Sequence, residues 1–270
     1  MMSEFRPTAI GVIGAGIMGE ALISALITSG VQPSMVTISE KREDRANELI
    51  AKYGVRSASL AENVSQAQAL LLVVKPQDMG SLLDEIKKSL KPETLIVTFA
   101  AGKKISFIAS HLDGAHPIIR VMPNTPALVG EGMAAISPGP NVSNSHTQFV
   151  RDFLEATGRV VEVEEDLQDA VTAMSGSGPA YFFAFIEAMV SAGEELGLSH
   201  EVATELSVQT MVGASKLLTT SGKSATILRE NVTSPKGTTA AGLASFNQAN
   251  FTQIIKDAIR AARDRSQELA

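Results

Sequence analysis

The chain contains no cysteine. Disulfide scaffolding, thiolate catalysis and cysteine-based metal sites are excluded with it. Long apolar runs are missing as well: the strongest, Ala69 to Val74 and Leu95 to Ala101, fall far short of the ~20 residues that cross a bilayer. Met1 to Thr8 carries Glu4 and Pro7 and lacks the apolar stretch of a signal peptide. The expectation is a cytoplasmic protein with no membrane partner. Positive charge is in deficit, with 23 Lys and Arg against 29 Asp and Glu and a formal charge of −6. Nucleic acid is therefore not an expected partner, because phosphate binding relies on clustered Lys and Arg. His111, His116, His146 and His200 show no metal-ligand spacing, so no metal is expected either. What is present is a globular composition, 44% hydrophobic and 19% charged over 270 residues, enough for one large domain or two moderate ones.

From Ala9 to about Val163, short β-branched runs alternate with amphipathic stretches. Strands are expected at Ala9–Ile13, Met35–Ile38, Ala69–Val74, Leu95–Phe99, Ile118–Val121, Met133–Ile136 and Val160–Val163. Helices are expected between them, at Glu20–Ser29, Arg42–Tyr53, Gln77–Leu90, Ile105–His111 and Gln148–Ala156. This alternation predicts βαβ units and a doubly wound, mostly parallel sheet, with antiparallel pieces near Met133–Ile136. After Glu164 no convincing strand remains, and helical patterns run from Leu167, Pro179, Glu201, Ala225 and Phe251. Two domains are expected: an α/β dinucleotide-binding domain over 1–165 and an all-α domain over 166–270. Tyr181–Leu196 is apolar on several faces, as in a helix buried in a large core or against another subunit.

The first strand runs into Gly14-Ala15-Gly16-Ile17-Met18-Gly19, and a helix follows. Glycines at this spacing give a tight turn, close approach to a pyrophosphate and tight helix–strand packing, while the helix N-terminus offers N–H groups to the phosphates. Ser39-Glu40-Lys41-Arg42 follows the second strand. Ser39 stands where an acid would grip the ribose 2′-hydroxyl of NAD, and Lys41 and Arg42 can neutralise the 2′-phosphate of NADP. NADPH is favoured, with NADH the alternative that Glu40 keeps open. Val74-Lys75-Pro76 holds Lys75 at the carboxyl edge of the sheet, with Pro76 expected to stop the strand. Ala100 and Ala101 let a nicotinamide ring approach, and Asn124 can bond ribose or carboxamide. Each is a plain turn when taken alone; three in succession along one edge point to a cleft.

In the helical half, Ser175-Gly176-Ser177-Gly178-Pro179-Ala180-Tyr181 opens the apolar helix. Val232-Thr233-Ser234-Pro235-Lys236-Gly237-Thr238-Thr239 opens another toward Leu243. Hydroxyls and successive N–H groups at a helix start suit a carboxylate; as helix caps the same residues need no ligand.

GAGIMG, VVKPQ, RVMPNTPALVGEGM, SGSGPAYFF and TSPKGTTAAGL, in that order over nearly the whole chain, resemble the pyrroline-5-carboxylate reductase family. The resemblance implies NAD(P)H-dependent reduction of a cyclic imino acid, 1-pyrroline-5-carboxylate, to L-proline, the last step of proline biosynthesis. It also implies a Rossmann domain followed by a helical dimerisation domain, a homodimer with further assembly into a decamer, and an active site built across two subunits. Carried onto this sequence, Gly14 to Gly19 hold the pyrophosphate, and Val74, Lys75, Pro76, Ala100 and Ala101 line the nicotinamide end. Ser234, Gly237, Thr238 and Thr239 hold the imino acid, with the Thr239 hydroxyl beside the imine nitrogen as the catalytic group. Two positions depart from the family: Lys236 replaces a usual Gly, and Leu60 replaces a frequent Asn facing the adenosine 2′ region. Two rivals share the architecture. One is a β-hydroxyacid or imine dehydrogenase using Lys216 as base; the other is a non-catalytic dinucleotide sensor, against which the intact TSPKGTT loop speaks.

Overall fold

The computed structural model describes residues 5–113 and 115–269. Glu4 and the outermost ends of the two expected domains lie outside them. Among the described residues, eight strands form one sheet: β1 Ile10–Ile13, β2 Val36–Ser39, β3 Arg56–Ser57, β4 Ala69–Leu72, β5 Leu95–Thr98, β6 Ile118–Met122, β7 Gly132–Pro138 and β8 Gly158–Glu162. Their order is β3-β2-β1-β4-β5-β6-β7-β8. Neighbours are parallel throughout except β6 and β7, the antiparallel piece expected near Met133–Ile136. The helices within this part are α1 Ile17–Thr28, α2 Glu43–Tyr53, α3 Leu60–Gln66, α4 Met79–Ile86, α5 Ile105–His111, α6 Asn144–Glu155 and α7 Gln168–Val171.

The central strands read as unbroken apolar runs because both faces are covered. Alternate residues supply two separate cores. Ile10, Val12, Leu71, Val97 and Val121 pack with Leu22, Leu26, Leu49 and Phe153 from α1, α2 and α6. Ile13, Leu70, Leu72 and Ile96 pack on the other face with Val64, Met79, Leu83 and Ile108 from α3, α4 and α5.

Several boundaries differ from those expected. β4 stops at Leu72, before Pro76, which instead opens a short 3₁₀ turn. The neighbouring strand decides this: β1 ends at Ile13, and the Gly14 N–H turns to the Ser39 carbonyl, 3.1 Å away. α3 and β3 were not legible, since two residues of strand and seven of helix are too short to show a period. The Ser59 hydroxyl caps α3 by accepting from the Glu62 N–H at 3.3 Å. α6 starts at Asn144 rather than Gln148, opened by a capping box of Ser143 with His146 in the place usually held by Glu or Gln.

The chain divides into two compact units, Met1–Ser177 with Ala262–Ala270, and Gly178–Ala261. The compositional change at 165/166 therefore precedes the structural boundary. α7 stays with the sheet because Gln168, fully buried, donates to the Ser137 hydroxyl at 2.8 Å and the Ala135 carbonyl at 3.3 Å.

The second unit contains α8 Gly178–Glu195, α9 His200–Thr220, α10 Ala225–Asn231, α11 Thr238–Gln248 and most of α12, Phe251–Glu268. α8 meets α9 where Gly193 lies against Ala203; a Cβ on Gly193 would come within 2.9 Å of the alanine methyl. Within this unit only Gly178, Val190, Ala203 and Ser207 are buried. Phe182, Phe183 and Leu196 are 61%, 63% and 86% exposed. Of the two accounts of Tyr181–Leu196, burial in a large core of its own chain is thus overturned. No helix among the described residues is long and apolar enough to cross a membrane.

Candidate active site

The glycine loop has the form a pyrophosphate requires. Gly14 has φ +88°, and a Cβ there would lie 2.8 Å from the Val73 carbonyl oxygen, so backbone sterics demand glycine. Gly19 packs on the same loop; its Cβ would collide with the Gly14 carbonyl. Gly16 is different, because nothing lies within 4 Å of where its Cβ would be. It is the N-cap of α1 and no side chain caps that helix. The free N–H groups at the start of a 12-residue helix therefore face open space that only glycine leaves clear. Ala15 is fully buried, Ile17 is exposed at the first helical position, and Met18 packs half-buried on the core.

The Ala15 peptide is held from both sides. Its N–H donates to Glu40 Oε2 at 2.8 Å, and its carbonyl accepts from Arg45 Nε at 3.1 Å. Glu40 also accepts the Arg42 N–H, at 3.1 Å, at the start of α2. Arg45 continues to Glu20 on α1, which also takes Lys52 Nζ at 2.8 Å and the Tyr53 hydroxyl at 3.0 Å. Hydrogen bonds from Lys52 and Arg45 hold the Glu20 carboxyl down at a pKa of about 2. Hydrogen bonds to Glu48 and then to Glu20 raise the pKa of Arg45, and the bond to Glu20 raises that of Lys52. None of this clamp was legible in the sequence: Arg45 and Glu20 are 25 residues apart and neither sits in a motif.

The second strand ends differently from expectation. The Ser39 hydroxyl donates to the Ala58 carbonyl at 3.1 Å and accepts from Asn63 Nδ2 at 3.0 Å. Lys41 and Arg42 are exposed, and neither forms an ion pair with a described residue. Leu60 packs, half-buried, against the apolar core that contains Leu70 and Leu72 of β4.

Along the carboxyl edge, Val74 is half-buried, Lys75 is exposed as the cap of the 3₁₀ turn, and Pro76 is its first residue. Ala100 is buried and Ala101 half-buried after β5. Asn124, in the loop after β6, is hydrogen-bonded within the fold. Its amide oxygen accepts the Met133 N–H at 2.8 Å, and its Nδ2 donates to the Ser175 carbonyl and hydroxyl at 3.3 and 3.2 Å. Both amide ends thus tie the loop after β6 to the scaffold.

The second unit carries the other expected group. Ser234 to Gly237 make a tight turn, with the Gly237 N–H on the Ser234 carbonyl at 3.0 Å, and α11 starts directly after it. A Cβ on Gly237 would strike the Ser234 hydroxyl, at 2.4 Å. Lys236 occupies the left-handed region at φ 61°, where the usual glycine is unstrained and a lysine costs about 1 kcal/mol. No side chain caps α11. The hydroxyls of Ser234, Thr238 and Thr239 form no hydrogen bond with a described residue, so they are not spent as helix caps. Lys216, the base of the rival dehydrogenase reading, lies in α9 and accepts the Thr219 and Thr220 hydroxyls on its carbonyl. Among the described residues no three His, Asp or Glu side chains gather as a metal site.

Comparison with known proteins agrees in both halves. The family model for pyrroline-5-carboxylate reductase dimerisation matches residues 165–269, and that for coenzyme F420-dependent NADP oxidoreductase matches residues 9–102. Among solved structures, a pyrroline-5-carboxylate reductase from Coxiella burnetii superposes with a TM-score of 0.90 at 31% identity, covering 98% of this chain and 99% of that one. The Plasmodium falciparum pyrroline carboxylate reductase, solved with NADP bound, gives 0.87 at 30% identity over 97% and 98%. The pyrroline-5-carboxylate reductase of Pseudomonas aeruginosa is 39% identical over 97% of this chain and 96% of its own. That of Corynebacterium melassecola is 38% identical over 97% and 98%. With fold, loop order and length all shared, the chain belongs to the pyrroline-5-carboxylate reductase family.

Proposed function

We propose that the protein reduces 1-pyrroline-5-carboxylate to L-proline with NADPH or NADH, as the last step of proline biosynthesis. The observation that carries this reading is a pair of uncapped, glycine-opened helix N-termini, α1 after β1 and α11 after Ser234-Pro235-Lys236. In a chain of this family, one suits the pyrophosphate of a dinucleotide and the other the carboxylate of the imino acid.

Gly14, Ala15, Gly16, Ile17, Met18 and Gly19 hold the pyrophosphate, with Glu40 and Arg45 fixing the Ala15 peptide between them. Val74, Lys75, Pro76, Ala100 and Ala101 form the nicotinamide end. Bound there, the dinucleotide supplies a hydride for the imine carbon. Ser234, Gly237 and Thr238 hold the carboxylate, and the unspent Thr239 hydroxyl places a hydrogen bond or a proton at the imine nitrogen. A protonated C=N carbon accepts hydride readily, so the protein's work is positioning.

NADPH is the proposed preference. Lys41 and Arg42 are exposed and free to meet a 2′-phosphate, and the Plasmodium relative was solved with NADP. Glu40 opposes it, since a carboxylate beside the glycine loop suits a ribose hydroxyl. Comparing kcat/KM for the two coenzymes in the unmutated protein, Lys41→Ala, Arg42→Ala and Glu40→Gln decides the point; equal or better use of NADH by the unmutated protein overturns the preference. The working form is proposed to be a cytoplasmic homodimer, assembled further into a decamer. Oxidation of NADPH, followed by its absorbance, with 1-pyrroline-5-carboxylate tests the reaction itself, and no turnover by the purified protein would end the proposal.

A further inference from the structure

The loop after β5 is pinned at two points. Gly102, at φ +75°, packs against the end of α12: a Cβ there would lie 2.7 Å from the Ser266 carbonyl oxygen and 2.9 Å from the Leu269 Cβ. Three residues on, the Ile105 N–H donates to Glu165 Oε1 at 2.6 Å. That carboxylate caps α5, whose own N-cap, Lys104, makes no side-chain cap bond.

Both pins converge on one side chain. Arg120 is buried in the middle of β6, on the face opposite Val121 and beside Thr98 in register. Its Nη1 lies 3.6 Å from Glu165 Oε1 and its Nη2 lies 3.4 Å from Asp169 Oδ1. Asp169 in turn accepts from the Ser266 hydroxyl at 2.8 Å, and Ser266 is itself buried. A single planar guanidinium thus lies between two carboxylates: Glu165 bonds the segment Ala101 to Ile105 directly at Ile105, and Asp169 bonds Ser266, whose carbonyl oxygen Gly102 packs against. All these groups belong to the first compact unit, which the last turns of α12 rejoin.

We infer that Arg120 is a positioning residue for the reductase reaction: through Glu165 and through Asp169–Ser266, it fixes the loop bearing Ala100 and Ala101 at the nicotinamide end. The inference rests on the reading of that loop given above. A buried arginine between two acids is costly to build and more costly to leave half-paired. Here the arrangement does something a hydrocarbon core cannot, because an ion pair to Glu165 and a hydrogen bond to Asp169 give the two carboxylates one fixed reference charge. The glycine cradle at α1 shares none of these contacts, so coenzyme affinity and hydride-transfer geometry are separable.

The test uses Arg120→Lys, which keeps the charge but not the two-pronged geometry, and Ser266→Ala, which cuts the second arm alone. Hydrogen exchange on the coenzyme-free protein is read first. The expected result is faster exchange across residues 100–105 in both variants, with residues 10–19 unchanged. NADPH affinity, by fluorescence titration, should stay within about twofold, while kcat falls about 10- to 100-fold, as misplacements near 1 Å cause. The primary isotope effect with 4-deuterated NADPH should rise as hydride transfer becomes limiting. If Arg120→Lys does not fold, Ser266→Ala decides alone. Unchanged exchange at 100–105, or a parallel fall in kcat and NADPH affinity, overturns the inference. Exchange needs no substrate, so it judges the clamp even if the unmutated protein fails to reduce the imine and the functional reading falls.

Discussion

The two compact units solve the burial problem in opposite ways. In the sheet unit, β1, β4 and β5 have every residue buried, and two separate cores close over the faces of the sheet. In the helical unit only Gly178, Val190, Ala203 and Ser207 are buried, while Phe182, Phe183, Leu206, Val212 and Ile254 stay more than 40% exposed. Apolar exposure on that scale marks an interface. The contrast teaches that the first unit closes its own core and the second leaves its apolar faces open. The dimerisation family match over residues 165–269 fits a helical unit completed by a second copy.

Replacing one of the exposed aromatics with a charge puts that contrast to its hardest test. Phe183→Glu should leave the sheet unit intact but abolish the dimer and with it the activity, since a carboxylate forced into an apolar interface costs about 4 kcal/mol, roughly a thousandfold in association. Phe183 suits the purpose better than Phe185, whose ring packs 6.5 Å from Phe246 within the same unit. Light scattering should show a mass near 28.4 kDa, with NADPH binding retained. A fully active protein at the chain mass would show that the helical unit needs no partner.

The division of labour between the units is open to a milder attack from each side. Thr239→Ala should lower kcat about 100-fold, the low end for a positioned proton donor, with NADPH affinity unchanged. Full kcat and an unchanged KM for the imine would reduce Thr239 to a helix-start residue. From the other side, Gly16→Ala should weaken NADPH binding about tenfold, near 1.4 kcal/mol, while stability changes by less than about 1 kcal/mol. Its added methyl meets no protein atom within 4 Å, so any loss of NADPH binding is read apart from packing. Gly19→Ala is the counterpart: its methyl strikes the Gly14 carbonyl, so stability should fall by about 1–3 kcal/mol before any effect on binding is read. If Gly16→Ala and Gly19→Ala behave alike in thermal melts, the cradle is packed scaffold and not a ligand site.

The smallest effect concerns the sheet unit's own electrostatics. The Glu20 carboxyl is held at about 2 against an ordinary 4.5, so its folded-state pKa is depressed. The stabilisation it gives is fully present above pH 4.5 and is lost as pH falls toward 2. Glu20→Gln should therefore flatten the loss of stability over that interval in urea titrations. An identical acid profile in the two proteins would show that the Arg45–Glu20–Lys52 cluster contributes nothing measurable.

How much of this was legible depends on the range over which each feature is encoded. Local patterns carried the alternation of strands and helices, the glycine loop between β1 and α1, and the helical run after Glu164, because burial on both faces and tight turns leave marks within a few residues. β3 and α3 left no such mark, and Asn63, on α3, reaches the Thr37 carbonyl across 26 residues. Asn124 and Ser39 show the same limit from the other side: the hydrogen bonds that join them to Met133, Ser175, Ala58 and Asn63 left no mark in the sequence. Lys236 was visible as an odd residue in its loop, but its left-handed backbone was not.

By itself, the sequence determined the doubly wound sheet, the phosphate-binding turn, the hydroxyl-rich loop before α11 and the family to which all three belong. Those follow from periodicity, from glycines that sterics require, and from short motifs in a fixed order. Only the tertiary structure decided which polar groups remain free for a ligand, that Glu40 and Arg45 share the Ala15 peptide, and that α12 returns to place Ser266 on Asp169 and Arg120. Such pairings join residues 25 to 97 positions apart. Their partners are chosen by packing geometry after the chain has folded, and no local pattern of residues encodes that choice.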